Sequence, residues 1–135
     1  MGERMLKENW TRNIEEIVDK ISRMFEIEGV IVFGSWSRRG GGEWSDLDIL
    51  VVSDDVKKIN ILDRFRITFE LGIPRIDVFI YTYEEVESML NRMNPLILSA
   101  LTEGIIVRSS ERIRGLIEYA RKRFTRRERL WIMKD

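Results

Sequence analysis

The sequence contains neither cysteine nor histidine among its 135 residues. These absences exclude disulfide bonds, thiol nucleophiles, zinc sites built from cysteine or histidine, and a serine hydrolase triad with a histidine base. The apolar runs are far shorter than the roughly 20 residues of a membrane span, and the charged amino terminus lacks the apolar core of a signal peptide. We therefore expect a cytoplasmic protein without a membrane partner, whose chemistry depends on carboxylates, hydroxyls, lysine and arginine.

Length and composition predict a single globular domain over residues 1–135. Hydrophobic residues make up 44% of the chain and charged residues 34%, which is typical of a folded domain rather than a disordered one. A chain of this length buries roughly two-thirds of its unfolded surface around one core. Basic and acidic residues balance at 23 each, yet residues 110–129 form a locally basic segment that we expect to be a helix. Such a helix is usually a solvated face, with RNA or an acidic partner as the alternative.

Hydrophobic periodicity predicts a small α/β fold. Apolar residues recur every three or four positions in segments that we expect to be helices, at about 7–27, 55–71, 83–90, 96–101 and 110–129. Short β-branched runs predict strands at 30–33, 46–52 and 75–81, and an edge strand at 104–107. The predicted architecture is therefore a small sheet flanked by helices.

The predicted helix at 55–71 joins two of these strands as a crossover connection. Its spacing directs Leu62, Phe65 and Phe69 toward the core, and Asp54 or Asp55 is the expected cap.

Three aspartates are expected to converge at one edge of this sheet. Asp46 and Asp48 start a strand and are separated by one residue, so both side chains point to the same side. Asp77 lies on a later strand that, in a small α/β sheet, pairs beside the first. Clustered carboxylates repel one another unless cations neutralise them, and hard oxygen ligands select Mg²⁺ or Mn²⁺. A lone Asp-x-Asp is more often a turn or a cap, so the prediction depends on all three residues.

Gly34 and Ser35 follow the first predicted strand and have the features of a phosphate site. Glycine permits close approach of the backbone, the turn exposes N–H groups, and the serine hydroxyl is a donor. Together with the aspartates this predicts a nucleoside triphosphate substrate. The following segment, 36–45, contains three consecutive glycines, and is either a lid that closes on the triphosphate or a slack connection.

Gly34-Ser35, followed after ten residues by Asp46-Leu47-Asp48, resembles the signature of the polymerase-beta-like nucleotidyltransferase superfamily, and in particular its minimal, single-domain branch, the MntA-like proteins. The resemblance is clear over residues 30–81. It implies an αβαβ core with a small mixed β-sheet flanked by helices, an α/β (α+β) fold. Arg108 stands where the minimal members commonly have a tyrosine.

The resemblance also implies a catalytic role for each aspartate. Asp46 and Asp48 would bind two Mg²⁺ ions, with Mn²⁺ as a substitute. Asp77 would hold the ion at the incoming nucleophile and help to remove its proton. The reaction implied is an in-line attack on the α-phosphate of ATP or another nucleotide, with pyrophosphate leaving.

The nucleotide-binding residues implied by the resemblance surround the glycine-rich segment. Gly34 and Ser35 would contact the terminal phosphates, and Arg38 or Arg39 would neutralise triphosphate charge. Ser45, immediately before the aspartate pair, completes this predicted set.

The acceptor of the nucleotide is expected to lie on another molecule, because a chain of this length has little room for a second substrate-binding domain. Minimal members often occur with a helical HEPN-type toxin, so the resemblance implies an antitoxin that modifies a tyrosine hydroxyl of its partner. Completion of the site by a homo-oligomer is an alternative. A non-catalytic, partner-binding antitoxin and an RNA-end nucleotidyltransferase that uses the basic carboxyl-terminal segment are the competing hypotheses.

Overall fold

The computed structural model describes residues 3–34, 47–71, 76–128 and 130–134, with only the backbone described for residues 3–10. Within these ranges the chain forms helices and strands in the order α1 Glu3–Ser22, β1 Gly29–Phe33, β2 Leu47–Val52, a 3-10 turn Asp54–Val56, α2 Ile61–Phe69, β3 Ile76–Tyr81, α3 Tyr83–Asn91, α4 Pro95–Glu103, β4 Ile105–Ser109, α5 Glu111–Arg123, β5 Phe124–Arg127 and β6 Leu130–Met133.

Four strands form one mixed sheet in the order β3-β2-β1-β4. Strand β1 is antiparallel to both β2 and β4, whereas β2 and β3 are parallel. A parallel pair needs a crossover connection, and α2 lies in that connection. This mixed sheet with flanking helices confirms the predicted fold class.

Apolar side chains cover both faces of the sheet because they alternate along each strand. One face packs against α1 through Ile14, Ile17, Val18 and Ile21. The opposite face, which carries Ile31, Leu50 and Val52, packs against α3, α4 and α5. We call this second side the α3–α5 face.

The crossover helix begins later than its periodicity predicts. Ser53 caps the short 3-10 turn, and α2 starts only at Ile61, where the Asn60 side chain accepts the Asp63 N–H at 2.8 Å. Neither Asp54 nor Asp55 caps the α-helix. Leu62 and Phe69 are also not core residues, since they are 78% and 86% exposed. Helix α2 lies at the edge of the sheet, so the side that carries Leu62 and Phe69 faces solvent and a different side faces the core.

The side that α2 turns inward carries Arg64, which is only 5% exposed. Its guanidinium donates hydrogen bonds to the carbonyl oxygens of Val56, Ile59 and Ile80, and to Glu85 Oε1 at 2.7 Å. These acceptors belong to the 3-10 turn, to the segment just before α2, to β3 and to α3. The Arg64 side chain therefore links the crossover connection to β3, the strand that follows it.

Glu85 has two roles in this arrangement. It accepts a hydrogen bond from the Thr82 N–H at 2.7 Å in the capping box of α3, and it accepts another from Arg64. Burial raises the pKa of Glu85, but the hydrogen bonds from Arg64 and Thr82 outweigh burial and hold it below the usual value. The carboxylate is therefore stabilised in its charged form.

The carboxyl-terminal helix is shorter than the predicted 110–129, because α5 ends at Arg123 and a hairpin of β5 and β6 follows. Within the hairpin, Arg126 lies 4.5 Å from the Trp131 ring centroid and 3.1 Å from Glu103. Phe124 is buried and has an extended backbone. Contacts with α4 and across the hairpin replace the last helical turns.

Among the residues that the structure describes, no helix is long and apolar enough to cross a membrane.

Replacing Arg64 with methionine, which keeps the length of the side chain but removes its donors, is expected to lower the free energy of unfolding by about 2–4 kcal/mol. The loss stays below the upper end for a buried pair because Glu85 is 35% exposed. Chemical denaturation measures it. Arg66→Met is the matched control on the same helix: its side chain is 76% exposed, so a change within about 0.5 kcal/mol is expected. Equal losses in both variants would contradict the role of Arg64.

Candidate functional site

The parallel pairing of β2 and β3 brings two of the predicted aspartates together. Asp48 is the register partner of Asp77. Paired positions on neighbouring parallel strands are about 4.8 Å apart and direct their side chains to the same face. Both carboxylates thus lie on the α3–α5 face, near the start of their strands.

Burial differs between these two carboxylates and the residues that follow them. Asp77 is exposed and Asp48 is partly buried, whereas Leu50 and Val52, farther along the same face, are fully buried. Helices α3–α5 cover the far half of this face, and among the described residues of the near end Asp77 is exposed. The carboxylates therefore stand where a low-dielectric interior meets solvent.

Gly34 lies beside this pair, at the end of β1. Its predecessor Phe33 is the register partner of Asp48 in the antiparallel β1–β2 ladder, so Gly34 continues past the rim that carries the carboxylates. The backbone of Gly34 has φ 103°, a conformation that side-chain-bearing residues rarely adopt. The predicted requirement for glycine at this turn thus has a conformational basis.

Five of the predicted site residues lie outside the described residues: Ser35, Arg38, Arg39, Ser45 and Asp46. Their predicted roles stay predictions. The described part of the site is formed by Gly34, Asp48 and Asp77.

Aromatic side chains lie next to the carboxylates and were not identified from the sequence. Phe79, two residues after Asp77, has its ring centroid 6.3 Å from that of Phe33 and 6.0 Å from that of Phe65. Phe79 lies on the same face as Asp77 because the side chains of a strand alternate. An apolar floor therefore extends from the carboxylates toward α2. Alternation in β3 indicates the position of Phe79, whereas no local pattern pairs it with Phe65.

The described carboxylates are suited to a hard divalent cation. Asp48 and Asp77 supply oxygen donors from adjacent strands, and the chain has no histidine or cysteine that would favour a softer metal. The described ranges contain no group of three or more potential metal-ligating side chains. Asp46, the third carboxylate of the prediction, is outside those ranges.

A second charged cluster occupies the opposite end of the sheet, and its acidic groups are bound by neighbouring donors. Arg112 donates to both Glu28 and Asp54, and its guanidinium carbon lies 4.2 Å from the Tyr83 ring centroid. The Arg112 hydrogen bond lowers the pKa of Glu28, and the backbone N–H of Tyr83 lowers the pKa of Asp54. These contacts join β1, the 3-10 turn, α3 and α5, so the cluster is structural.

Gly34→Ala is expected to destabilise the fold by about 1–2 kcal/mol, because a β-carbon is strained at positive φ. It should also weaken Mg-ATP binding, since the strained turn precedes the predicted phosphate site. Thermal unfolding and calorimetric titration measure the two effects. Gly115→Ala is the control: its added β-carbon meets no atom within 4 Å in α5, so it should stabilise by about 0.5–1 kcal/mol. Unchanged stability and affinity in Gly34→Ala would contradict this reading of the turn.

Comparisons with known proteins agree with this geometry. The family model described as nucleotidyltransferase domain matches residues 14–132, a range that includes every predicted site residue. A curated relative from Methanocaldococcus jannaschii, named "Putative protein adenylyltransferase", is 28% identical, and the alignment covers 100% of this chain and 99% of the relative.

Two solved structures share the fold at 20% identity. A crystal structure of a "putative nucleotidyltransferase" from Sulfolobus solfataricus has a TM-score of 0.54 over 78% of this chain and 86% of its own. A mutant of the toxin-antitoxin MntA-HpeT has a TM-score of 0.50 over 79% of this chain and 77% of its own. The family match spans most of the chain and agrees with the resemblance seen in the sequence. This chain belongs to the nucleotidyltransferase domain family, and it is a nucleotidyltransferase.

Proposed function

We propose that this enzyme transfers AMP from ATP, with Mg²⁺ or Mn²⁺, to a hydroxyl group of a partner protein, and that the acceptor is a tyrosine of a HEPN-type helical toxin. The observation that carries the proposal is the register pairing of Asp48 with Asp77 beside the glycine turn. The name of the Methanocaldococcus relative supports adenylyl transfer to protein. The fold shared with one component of a toxin-antitoxin supports a toxin as partner.

The proposed reaction forms one phosphorus–oxygen bond and breaks another. The acceptor hydroxyl oxygen attacks the α-phosphorus, the bond from that phosphorus to the bridging oxygen breaks, and pyrophosphate leaves on the opposite side. Asp77 accepts the hydroxyl proton, or passes it to solvent. Two bound divalent ions would neutralise the negative charge that develops on the attacking and leaving oxygens.

The residues of this chain divide these tasks between them. Asp46 and Asp48 would hold both ions, and Asp77 would hold the ion next to the acceptor. Gly34 and Ser35 bind the terminal phosphates.

Additional contacts to the nucleotide are proposed for residues of the 36–45 segment. Arg38 or Arg39 neutralises triphosphate charge, and Ser45 contacts the nucleotide.

Several cations of the basic carboxyl-terminal region are already engaged within the fold. Arg121 donates to the carbonyl oxygens of Leu101 and Gly104, and Arg126 pairs with Glu103. Arg123 lies 5.2 Å from the Tyr119 ring centroid. This use of cations weakens the case for an RNA acceptor, which would need them as phosphate contacts.

The test is incubation with α-labelled ATP, Mg²⁺ and the protein encoded by the adjacent gene, followed by mass spectrometry of the products. Wild type should add one AMP to a hydroxyl of the neighbour. Asp77→Asn should lower the transfer rate by about 10²–10⁴-fold, the range for loss of a general base, while nucleotide affinity changes much less. Glu118→Gln, an exposed carboxylate on α5, is the control and should transfer at the wild-type rate.

Other outcomes of this experiment identify the competing functions. Label on RNA ends would replace the protein acceptor with nucleic acid. An absence of Mg²⁺-dependent nucleotide binding, together with tight binding of the neighbour, would indicate a non-catalytic antitoxin.

A further inference from the structure

An open groove lies at the β3 edge of the sheet, on the side where α2 and α3 flank the strand. It has a volume of about 430 Å³, and its lining includes Ile61 of α2, Tyr81 of β3, Ser88 and Met89 of α3, and Arg92 just after α3. We call it the β3 groove. None of its lining residues belongs to the nucleotide site described above.

The β3 groove is connected to the candidate active site along one face of β3. Tyr81 lines the groove, and Phe79 and Asp77 lie on the same face of β3, so the strand itself links the groove to the carboxylate. Four residues of extended strand separate Tyr81 from Asp77, a distance of roughly 13 Å. An extended polypeptide of four residues covers the same distance, so one segment reaches both ends.

The order of the strands places the groove on the acceptor side of the reaction. Gly34, which is proposed to bind the terminal phosphates, is on β1, Asp48 is on β2, and Asp77 is on the edge strand β3. An in-line displacement requires the nucleophile to approach opposite to the leaving pyrophosphate. With pyrophosphate at β1, that approach comes from beyond β3, where the groove lies.

The rim of the groove is apolar and accessible. Ile61 lines the groove and is 39% exposed. Phe65 lies one turn farther along α2, outside the lining, and is 42% exposed, and Leu62 and Phe69 extend the apolar surface along the helix. Contiguous exposed apolar surface of this kind marks an interaction site. Burial raises the pKa of Tyr81, so its phenol stays protonated and can donate a hydrogen bond to a peptide carbonyl.

The charges in the groove favour a polypeptide occupant over nucleic acid. Its lining carries two cations, Lys57 and Arg92, and the carboxylate of Glu84, while the second carboxylate, Glu85, is already paired with Arg64. A nucleic-acid site would need a clear basic excess, because phosphate neutralisation supplies most of its affinity. A protein segment with an apolar anchor and mixed charges complements this lining.

We propose that the β3 groove binds the acceptor polypeptide, which seats an apolar side chain between α2 and α3 and presents a hydroxyl about four residues away to Asp77. This inference rests on the proposed function and adds the surface that selects its protein substrate. The hydroxyl oxygen bonds to the α-phosphorus as the bond to pyrophosphate breaks, and the proton leaves toward Asp77.

The test uses random linear 12-residue peptides displayed on phage, selected on wild-type protein with Mg²⁺ and a non-hydrolysable ATP analogue. Enriched sequences are synthesised, and their Kd values are measured by fluorescence anisotropy. Ser88→Trp fills the groove from an exposed position, and Phe65→Asp removes its apolar rim. Each should raise peptide Kd at least about tenfold, which corresponds to about 1.4 kcal/mol.

Two matched controls separate groove effects from general surface effects. Leu130→Asp replaces another exposed apolar residue, which is 71% exposed on β6, and Glu118→Trp adds the same bulk to exposed α5. Both should keep peptide Kd within about twofold, a change worth less than the loss of a single contact. Circular dichroism verifies that each variant folds.

The groove proposal is overturned if no peptide is enriched above background, or if peptides bind the groove variants as tightly as the controls. It is equally overturned if wild type is a dimer that Phe65→Asp dissociates, or if a 12-nucleotide RNA binds and Ser88→Trp abolishes that binding.

Mg-ATP titration and AMP transfer to the selected peptides are measured in parallel. If peptides bind in a way that depends on the groove but the protein does not bind nucleotide, the proposed function is refuted and the groove proposal stands. If AMP is transferred to the peptides at the same rate by wild type and by the groove variants, the groove proposal is refuted and the proposed function stands.

Discussion

The buried Arg64 guanidinium is the interaction on which the geometry of the site depends. It bonds to carbonyl oxygens before and within the crossover and on β3, and to the Glu85 carboxylate that caps α3. The crossover must return the chain so that β3 pairs beside β2. A slip of one residue would move Asp77 to the opposite face. The register that pairs Asp77 with Asp48 is therefore held at the far end of β3 by a residue with no catalytic role.

The two ends of the sheet have different functions. At the far end, Arg112 bonds to Glu28 and Asp54 and joins several elements of the fold. At the near end, the buried Gly34 lies beside Asp48, which is partly buried, and Asp77, which is exposed. Catalytic groups at such a rim gain stronger electrostatic interactions from the adjacent core while substrates keep access. The structural charges and the carboxylates proposed to be catalytic are thus separated along the strands.

Much of this arrangement could be predicted from local sequence. Alternation along β3 indicates that Asp77 shares a face with Phe79, and the spacing of Thr82 and Glu85 is typical of a capping box at the start of α3. The missed features depend on contacts between distant residues. Asn60 rather than Asp55 caps α2, the basic helix gives way to a hairpin at Phe124, and Leu62 faces solvent despite its helical spacing. The carbonyl groups that stabilise the buried Arg64 come from separate parts of the chain, so no short stretch of sequence indicates that this arginine is buried.

The most direct test of the central claim, that the paired strand starts form the metal-nucleotide site, is paramagnetic broadening in an NMR spectrum of the protein with Mn²⁺ and ATP. Amide signals of Gly34, Asp48 and Asp77 should disappear at substoichiometric Mn²⁺. Signals of Glu28, Ser53 and Ser110, at the opposite end of the sheet, should remain sharp. Broadening centred on the opposite end, or equal broadening at both ends, would contradict the account.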